Sequence, residues 1–534
     1  MTGKPTAEQI VAEAHRHHLA GRLDLAESGY RAALAASGRN ADAARLLGAL
    51  LLQRGDVKSA VPLLEKAVRL APGAAALVNL AGALRADGDA ARAADCCRRA
   101  IALDRTLSAA FFTLGHAYRD LGQLADAADA YRAFVALEPR DVEGHAVLGD
   151  TYRLMERPDA AMEAYEIALS YDGAHINAHI NVAGIIQSQG FHHAGLAVLE
   201  ALLRAAPGSA EAAKTLAIAQ LQLGDFANGW PGLEARFEST TERVTRRPAQ
   251  PAYWQGEDLD GKTILLWTEQ GLGDEILFSS LIPDVVARAK AVGVACSPRL
   301  VPVLQRSFPS VGVFSRDDDA AGQSVFDYQQ SVVSLARFLR PDFAAFPRPA
   351  GHLEADPATA ARLREKYRAR AGARRIIGLS WRSTNPVFGP AKTAALASFA
   401  PILTQPDALF VNLQYGDCHA EIRAVRDTLG VEIIEDSDVD SAVSMDDFLA
   451  QVAAMDLVIT TSNTTAHAAG ALNVPVWVLL PFAAGSIWYW FLRRTDSPWY
   501  RSAVLMRSTR HDPTEPWERI PVARAAAALA GGPR

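Results

Sequence analysis

Two short segments of this chain carry residues whose types and spacing suit chemistry in a cleft. The first is Thr268-Glu269-Gln270-Gly271-Leu272-Gly273-Asp274-Glu275, which follows the apolar run Lys262 to Trp267 and precedes the amphipathic stretch Ile276 to Lys290. That order predicts a buried parallel strand, a glycine turn and a helix. Gly271 and Gly273 allow a tight turn and close approach of the backbone. Asp274 stands where the helix opens. A carboxylate there caps free N–H groups, or faces a ligand at the carboxyl end of the strand. Spacing alone leaves both roles open, because the segment is neither a full G-x-G-x-x-G fingerprint nor a Walker A loop. Glu269 and Glu275 are acidic neighbours, and Glu275 turns away if Asp274 faces in. The second segment is Ser462-Asn463-Thr464-Thr465-Ala466-His467, which follows the apolar run 457–460 and opens an Ala-rich helix. Asn463 or Thr464 caps it, and the N–H groups with the hydroxyls of Thr464 and Thr465 form an anion site. His467 either bonds a ligand or packs between helix and sheet.

Both segments need strands to present them. Val292–Cys296 and Val311–Phe314 read as further strands of a first lobe, which ends in the Pro- and Ala-rich stretch Pro341 to Pro357. A second lobe opens with Arg375 to Trp381 and continues through Leu409–Leu413, Val431–Ile434, Leu457–Thr460 and Val476–Leu480. Helices intervene, so the expected architecture is two small doubly wound lobes in series with one ligand between them.

The first half follows a different pattern. Glycines recur at Gly21, Gly55, Gly88, Gly122, Gly190 and Gly224, with Glu156 in the missing slot, a period of about 34 residues. Five residues on sits a small residue (Ala26, Ala60, Ala93, Ala127, Ala161, Gly195, Gly229). Four further sits a mostly larger one (Tyr30, Leu64, Cys97, Tyr131, Tyr165, Leu199, Leu233). The small residue lets paired helices approach, the larger fills the gap between units, and the turn residue takes a left-handed conformation. This resembles the tetratricopeptide (TPR) family over roughly residues 7–240, about seven repeats. Such solenoids bind peptides or partner proteins on their concave face. Asn177 and Asn181, like His175 and His179, share a helical face and are candidates to grip a peptide. Trp230 and Phe237 are large for an internal repeat and are expected to cap the solenoid and pack it on the strand–turn–helix half.

The segments "TEQGLGDEILFSSLIP", "IGLSWRSTNPVFGPAKTAALASFAPIL", "VNLQYGD" and "MDLVITTSNTTAHAAGALNVPVWVLLP" resemble GT-B glycosyltransferases related to the heptosyltransferase family. More narrowly, with the ending "WYWFLRRTDSPWY", they are similar to bacterial TPR-linked glycosyltransferases, a group that includes flagellin glycosyltransferases. The resemblance covers about residues 261–510. It implies an α superhelical TPR solenoid (1–240), a linker (241–260), a GT-B N-terminal lobe on the acceptor side (261–355) and a C-terminal lobe on the nucleotide-sugar side (356–534). It implies Asp274 as general base, since an inverting transferase must remove a proton from the acceptor hydroxyl. Arg382 and Lys392 are placed to neutralise phosphate as the nucleotide departs. The same resemblance implies that Asn463, Thr464 and Thr465 line the donor site, with His467 either bonding the donor or packing between helix and sheet, and that Gln414 and Tyr415 read base or ribose. Relatives often carry Asp where Asn463 stands, so no acting carboxylate is implied there.

Composition narrows the classes. A formal net charge of −6 over 534 residues argues against nucleic acid as partner. Four cysteines form no framework and no CxxC pair, as in a reducing cytoplasm. The first residues lack a signal-peptide core, and the apolar run Val474–Leu492 is broken by Pro475, Pro481 and Gly485, so no membrane span is expected. Asp436-Ser-Asp438 and Asp438-Val-Asp440 match the DxD of metal-dependent transferases but fall in a polar loop. The expectation is no metal and no cofactor, the nucleotide-sugar being a substrate. The resulting reading is a cytoplasmic, metal-independent, inverting protein O-glycosyltransferase. Its acceptor Ser or Thr lies on a protein held by the repeats, flagellin being the first to test, and a CMP-activated nonulosonic acid is the implied donor. The alternatives are a glycan or lipopolysaccharide transferase docked through its repeats, and a non-enzymatic TPR adaptor.

Overall fold

The computed structural model describes residues 5–240, 244–248, 251–317, 326–347, 350–385, 389–482, 487–509 and 515–531. Arg243 and four other residues of the expected linker, 241, 242, 249 and 250, lie outside these, as does Gly485. The chain divides into two compact units, residues 1–185 and 186–534.

The first unit is made of paired helices, beginning with Ala7–Leu19 and Leu23–Ala36. Among the described residues of the whole chain, the repeat pattern runs through fourteen helices, to Phe226–Leu233. The expected turns are there in detail. Gly21, Gly55, Gly88, Gly122, Gly190 and Gly224 all have positive φ, and Glu156 takes φ 56° in the slot that lacks glycine. The amide after each turn residue reaches back to close the helix, as Asp56 N–H to Leu51 O (2.9 Å) and Arg157 N–H to Tyr152 O (2.9 Å), a Schellman-type closure. Ala26, Ala60, Ala93, Ala127 and Ala161 are fully buried, as are Tyr30, Leu64, Cys97, Tyr131 and Tyr165. Where the larger residue is a tyrosine its hydroxyl is satisfied by the partner helix: Tyr131 meets His116 Nδ1 at 2.9 Å and Tyr165 donates to Asp150 at 2.6 Å. Asn181 donates to the same Asp150 (2.8 Å), and His179 Nε2 lies 3.0 Å from Gly173 O. These two peptide-gripping candidates are therefore engaged within the repeats, and Asn177 is exposed.

The second unit contains the last repeat helices and two parallel sheets. The first sheet is built from β1 (Ala252–Tyr253), β2 (Thr263–Trp267), β3 (Ala291–Cys296), β4 (Gly312–Ser315) and β5 (Tyr328–Ser331), in the order β1-β5-β2-β3-β4. The second is built from β6 (Arg375–Ser380), β7 (Ala408–Asn412), β8 (Ile433–Ile434), β9 (Leu457–Thr461), β10 (Val476–Leu480) and β11 (Ala503–Arg507), in the order β11-β10-β9-β6-β7-β8. That is the doubly wound Rossmann order, with its reversal between β6 and β9. The first sheet reverses between β2 and β5. Crevices at the carboxyl ends of these strand pairs are where such sheets receive ligands, and both chemistry-bearing segments emerge there. Neighbouring residues of β6 and β9 go to opposite faces: Ile376 and Val458 meet helices Pro357–Ala371 and Met445–Ala453, while Ile377 and Ile459 meet Phe399, Ile402 and Val522.

The thinning of contacts at 185/186 differs from the expected boundary near 240. Residues 241–260 do not separate two bodies, because the last repeat is built into the α/β core. Phe226, Trp230 and Leu233 share one buried cluster with Leu266, Phe278, Trp490 and Tyr500. Trp230 donates its indole N–H to Arg340 O (2.8 Å) and packs edge-on against Trp488 (5.3 Å), and Phe226 meets both Phe343 and Phe491. Trp230 packs the last repeat on the α/β half, as expected. Among the described residues no helix is long and apolar enough to cross a membrane.

Candidate functional site

The turn after β2 is pinned by two of its three acids and presents the third. Glu275 accepts from Thr268 Oγ1 (2.7 Å), Ser297 N–H (2.9 Å) and Arg316 Nη1 (3.0 Å), so it turns into the first lobe as anticipated. Glu269 forms a two-point pair with the fully buried Arg236, at 2.9 and 2.7 Å. The residue with left-handed backbone is Gln270 (φ 66°), not either glycine. Gly271 is the N-cap of helix Leu272–Phe278 at φ −90°. The steric role falls to Gly273: a Cβ there would stand 3.0 Å from His467 Cδ2 and 3.7 Å from Thr464 Cα of the second lobe. The first turn of helix Leu272–Phe278 thus packs on the first turn of helix Thr464–Ala471.

Asp274 lies at this junction. Its carboxylate accepts a long hydrogen bond from Gly271 N–H (3.4 Å). Part of its surface stays accessible, yet protein crowds it on both sides. Burial pushes its pKa up to about 6, against the pull of the Gly271 N–H and the Lys392 ammonium, with Glu269 adding to the rise. A carboxyl tuned this way is a better proton acceptor near neutral pH than an ordinary one.

The second lobe faces it with positive character. Lys392 is buried in the 3-10 turn Pro390–Lys392. Burial draws its pKa below the usual lysine value while Asp274 draws it back up. Among the described residues its ammonium makes no ion pair within 4.0 Å, so the two charges act on one another from further apart. Helix Thr464–Ala471 starts from Asn463, whose Oδ1 accepts from Thr465 N–H (3.0 Å) and Thr460 Oγ1 (3.0 Å). The Asn463 amide also donates to Ser380 Oγ (2.8 Å) and Arg382 O (3.1 Å). An Asp here would lose both donated bonds and set a negative oxygen against a carbonyl, which explains the Asn in physical terms. Thr465 Oγ1 is buried and has no hydrogen-bond partner among the described residues. Thr464 is partly exposed.

Other expected donor contacts are engaged differently. Gln414 Oε1 accepts from Ser380 Oγ (3.1 Å), Trp381 N–H (3.0 Å) and Arg382 N–H (2.9 Å), and its amide nitrogen donates to Tyr415 O (3.0 Å). Gln414 therefore braces the turn after β6. The Arg382 guanidinium pairs with Glu421 (2.6 Å) and bonds Asp417 O, so its charge is directed at helix His419–Leu429. Tyr415 is half-buried beside it. His467 lies with its two ring nitrogens 3.0 Å from Tyr500 Oη and 3.2 Å from Tyr489 Oη, and stacks on Trp490 (5.3 Å, 14°). Burial, and then Lys392, push its pKa down to about 3, so the ring is neutral and serves packing. Asp436 and Asp438 are held by Lys366 (2.8 and 2.7 Å), with Tyr367 on Asp436 (2.6 Å). No cluster of three His, Cys, Asp or Glu suited to a metal occurs among the described residues, and all four cysteines are buried and free.

Four groups at the site were not singled out from sequence: Arg236, His352, Tyr489 and Tyr500. His352 Nε2 meets Ile276 O (3.0 Å) and Ser279 Oγ (3.1 Å) under the helix that carries Asp274, and its ring stacks on Tyr500 (6.4 Å, 11°). The aromatic run 488–491 with Trp499 and Tyr500 was the available signal, since such concentration is rare elsewhere in this chain.

The chain matches the tetratricopeptide repeat model at residues 12–75, 51–107 and 112–175. With the observed helix pairs, this makes the first part of the chain a TPR array, a class of domain that binds peptides and proteins. It is 34% identical over 343 residues to Protein FlbA of Caulobacter vibrioides, covering 60% of this chain and 56% of that one. The chain thus spans about half the length of this curated relative. Similar solved structures include MamA (24% identity, 31% of this chain and 92% of that chain, TM-score 0.29) and YrrB, described as a TPR protein with an unusual peptide-binding site (22% identity, 32% and 89%, TM-score 0.29).

Proposed function

We propose that the protein is an inverting GT-B glycosyltransferase that moves a sugar from a nucleotide-activated donor to a Ser or Thr hydroxyl of a protein held by its repeats. The observation that carries this reading is the opposition of Asp274, its pKa pushed up to about 6, to the buried Lys392 and the start of helix Thr464–Ala471. Asp274 takes the proton of the acceptor hydroxyl as its oxygen attacks the anomeric carbon. The bond from that carbon to the phosphate oxygen breaks, and the nucleotide leaves with the electron pair. Lys392, the helix N–H groups and the hydroxyls of Thr464 and Thr465 meet the developing charge. Arg382 joins them if its pair with Glu421 opens. No metal is required for this balance of charge, and the reading places the reaction in the cytoplasm. The resemblance to flagellin glycosyltransferases makes flagellin the first acceptor and a CMP-activated nonulosonic acid the first donor to try. The test is intact-mass measurement of flagellin co-expressed with the chain. The expected result is a gain of whole sugar residues with the native sequence and almost none with Asp274→Asn. Transfer to a glycan or lipid acceptor instead would favour the polysaccharide alternative. Absence of both transfer and donor hydrolysis would leave only an adaptor.

A further inference from the structure

We infer that Arg236, contributed by the end of the repeat array, is a positioning residue for Asp274, so that the last repeat is a working part of the catalytic unit. This rests on the role proposed above for Asp274.

Arg236 lies in the 3-10 turn Glu234–Phe237, directly after the last repeat helix. Its guanidinium is completely buried. It occupies the crevice at the carboxyl ends of β2 and β5, the point where the first sheet reverses its order. Its donors are used in full: Glu269 twice (2.9 and 2.7 Å), Ser334 Oγ (2.8 Å), Glu234 (2.9 Å), Leu233 O (3.1 Å) and Ser331 Oγ (3.4 Å). Ser331 Oγ also bonds Glu269. A buried ion pair needs such saturation to offset desolvation. Glu269 is succeeded at once by left-handed Gln270 and by Gly271, which caps the helix of Asp274. The pair therefore sets where that helix begins, and it neutralises an acid close enough to Asp274 to influence its protonation. The same repeat also grips the second lobe, through Leu492 N–H to Gln222 O (3.0 Å) and the Trp230–Trp488 contact, next to the aromatic segment that holds His467. One repeat thus steadies the Asp274 turn and the segment facing it.

The titratable and charged groups facing Asp274 are Glu269 on its own turn and Lys392, His467, Tyr489 and Tyr500 from the second lobe. The full chain is compared with Arg236→Met and Glu269→Gln by pH dependence of kcat and by hydrogen exchange of segments 268–278 and 464–471. In Arg236→Met the Glu269 charge is left uncompensated, so the acid limb of kcat is expected to move to higher pH. In Glu269→Gln the positive charge remains alone, so the limb is expected to move to lower pH. Both variants should speed exchange in 268–278 at least tenfold while 464–471 changes less. A purely structural role would lower melting temperature and yield but leave the acid limb in place. Coincident limbs, or unchanged exchange in 268–278 in folded variants, overturn the inference. Should Arg236→Met not fold, Glu269→Gln decides alone. Should the native chain transfer no sugar, the function proposed above fails, and the exchange result still decides whether Arg236 positions the turn.

Discussion

Two turns face one another in the second unit, and their difference explains which does what. Each comes after a parallel strand at a point of sheet reversal, and each opens a helix whose first turn touches the other. The turn after β2 is rich in acids, yet Glu269 and Glu275 are consumed by Arg236, Ser297 and Arg316. Only Asp274 faces outward. The turn after β9 has no acid, and its Asn463 ties together Thr460 Oγ1, Ser380 Oγ and Thr465 N–H while Thr465 Oγ1 has no partner among the described residues. Helix starts alone do not assign roles. The charges left over after internal bonding fit the proposed roles: one turn to accept a proton, the other to receive an anion.

The sharpest way to break this comparison is Asp274→Asn. Asn caps helices about as well as Asp, so the melting temperature and nucleotide affinity should hold while transfer falls ~10²–10⁴-fold. As the proposed base, Asp274 works only when ionised, and burial pushes its pKa up to about 6. The rate should therefore be full above that value and fall as pH drops through it. Transfer at native rate by Asp274→Asn would remove the first turn from the chemistry. On the opposite side, Lys392→Ala should weaken nucleotide binding, read by calorimetry with CMP, UDP, GDP and ADP, by about 1–3 kcal/mol. If no nucleotide binds the native chain, the anion role of the second turn is lost. Asn463→Asp makes the two turns alike in charge. It removes two donated hydrogen bonds and should cost about 1–2 kcal/mol in chemical denaturation, with weaker nucleotide binding as well. The smallest effect belongs to Thr465→Val. Its hydroxyl has no partner among the described residues, so stability should stay level or rise, while nucleotide affinity drops by about 1 kcal/mol or less. A destabilised Val variant with unchanged affinity would show that the hydroxyl serves the fold.

Much of this architecture is legible in the residues alone. The repeat turns are visible because one backbone requirement recurs at one spacing, which is why Glu156 could be placed in a glycine slot and is found left-handed. Strands β2, β3, β4, β6, β7, β9 and β10 announce themselves as apolar runs. Strand β5 does not: it reads Tyr-Gln-Gln-Ser, and its buried amides are spent on the incoming chain, Gln329 on Pro248 O and Pro251 O, and Gln330 on Trp254 O. Strand β11 is an edge whose Val504 is exposed, so its alternation is weak. The unit boundary was hidden because the partners of Trp230 and Phe226 are Arg340, Phe343 and Phe491, more than a hundred residues away. Residue types singled out Asp274, Lys392 and Asn463 as candidates, and the structure brings Asp274 beside Lys392 and the helix that Asn463 caps. They did not reveal that Gln414 and His467 are occupied by neighbours, since that depends on contacts between turns distant in sequence.

Gly273 has a consequence for how the cleft is gauged. Its backbone needs no glycine, having no left-handed angle. The missing side chain matters because the first turns of two helices, one from each lobe, meet there, and a methyl carbon would stand 3.0 Å from His467 Cδ2. That one position acts as the shim between the lobes. A carbon added at 273 would press on His467, and the two helix starts would have to yield by a few tenths of an ångström.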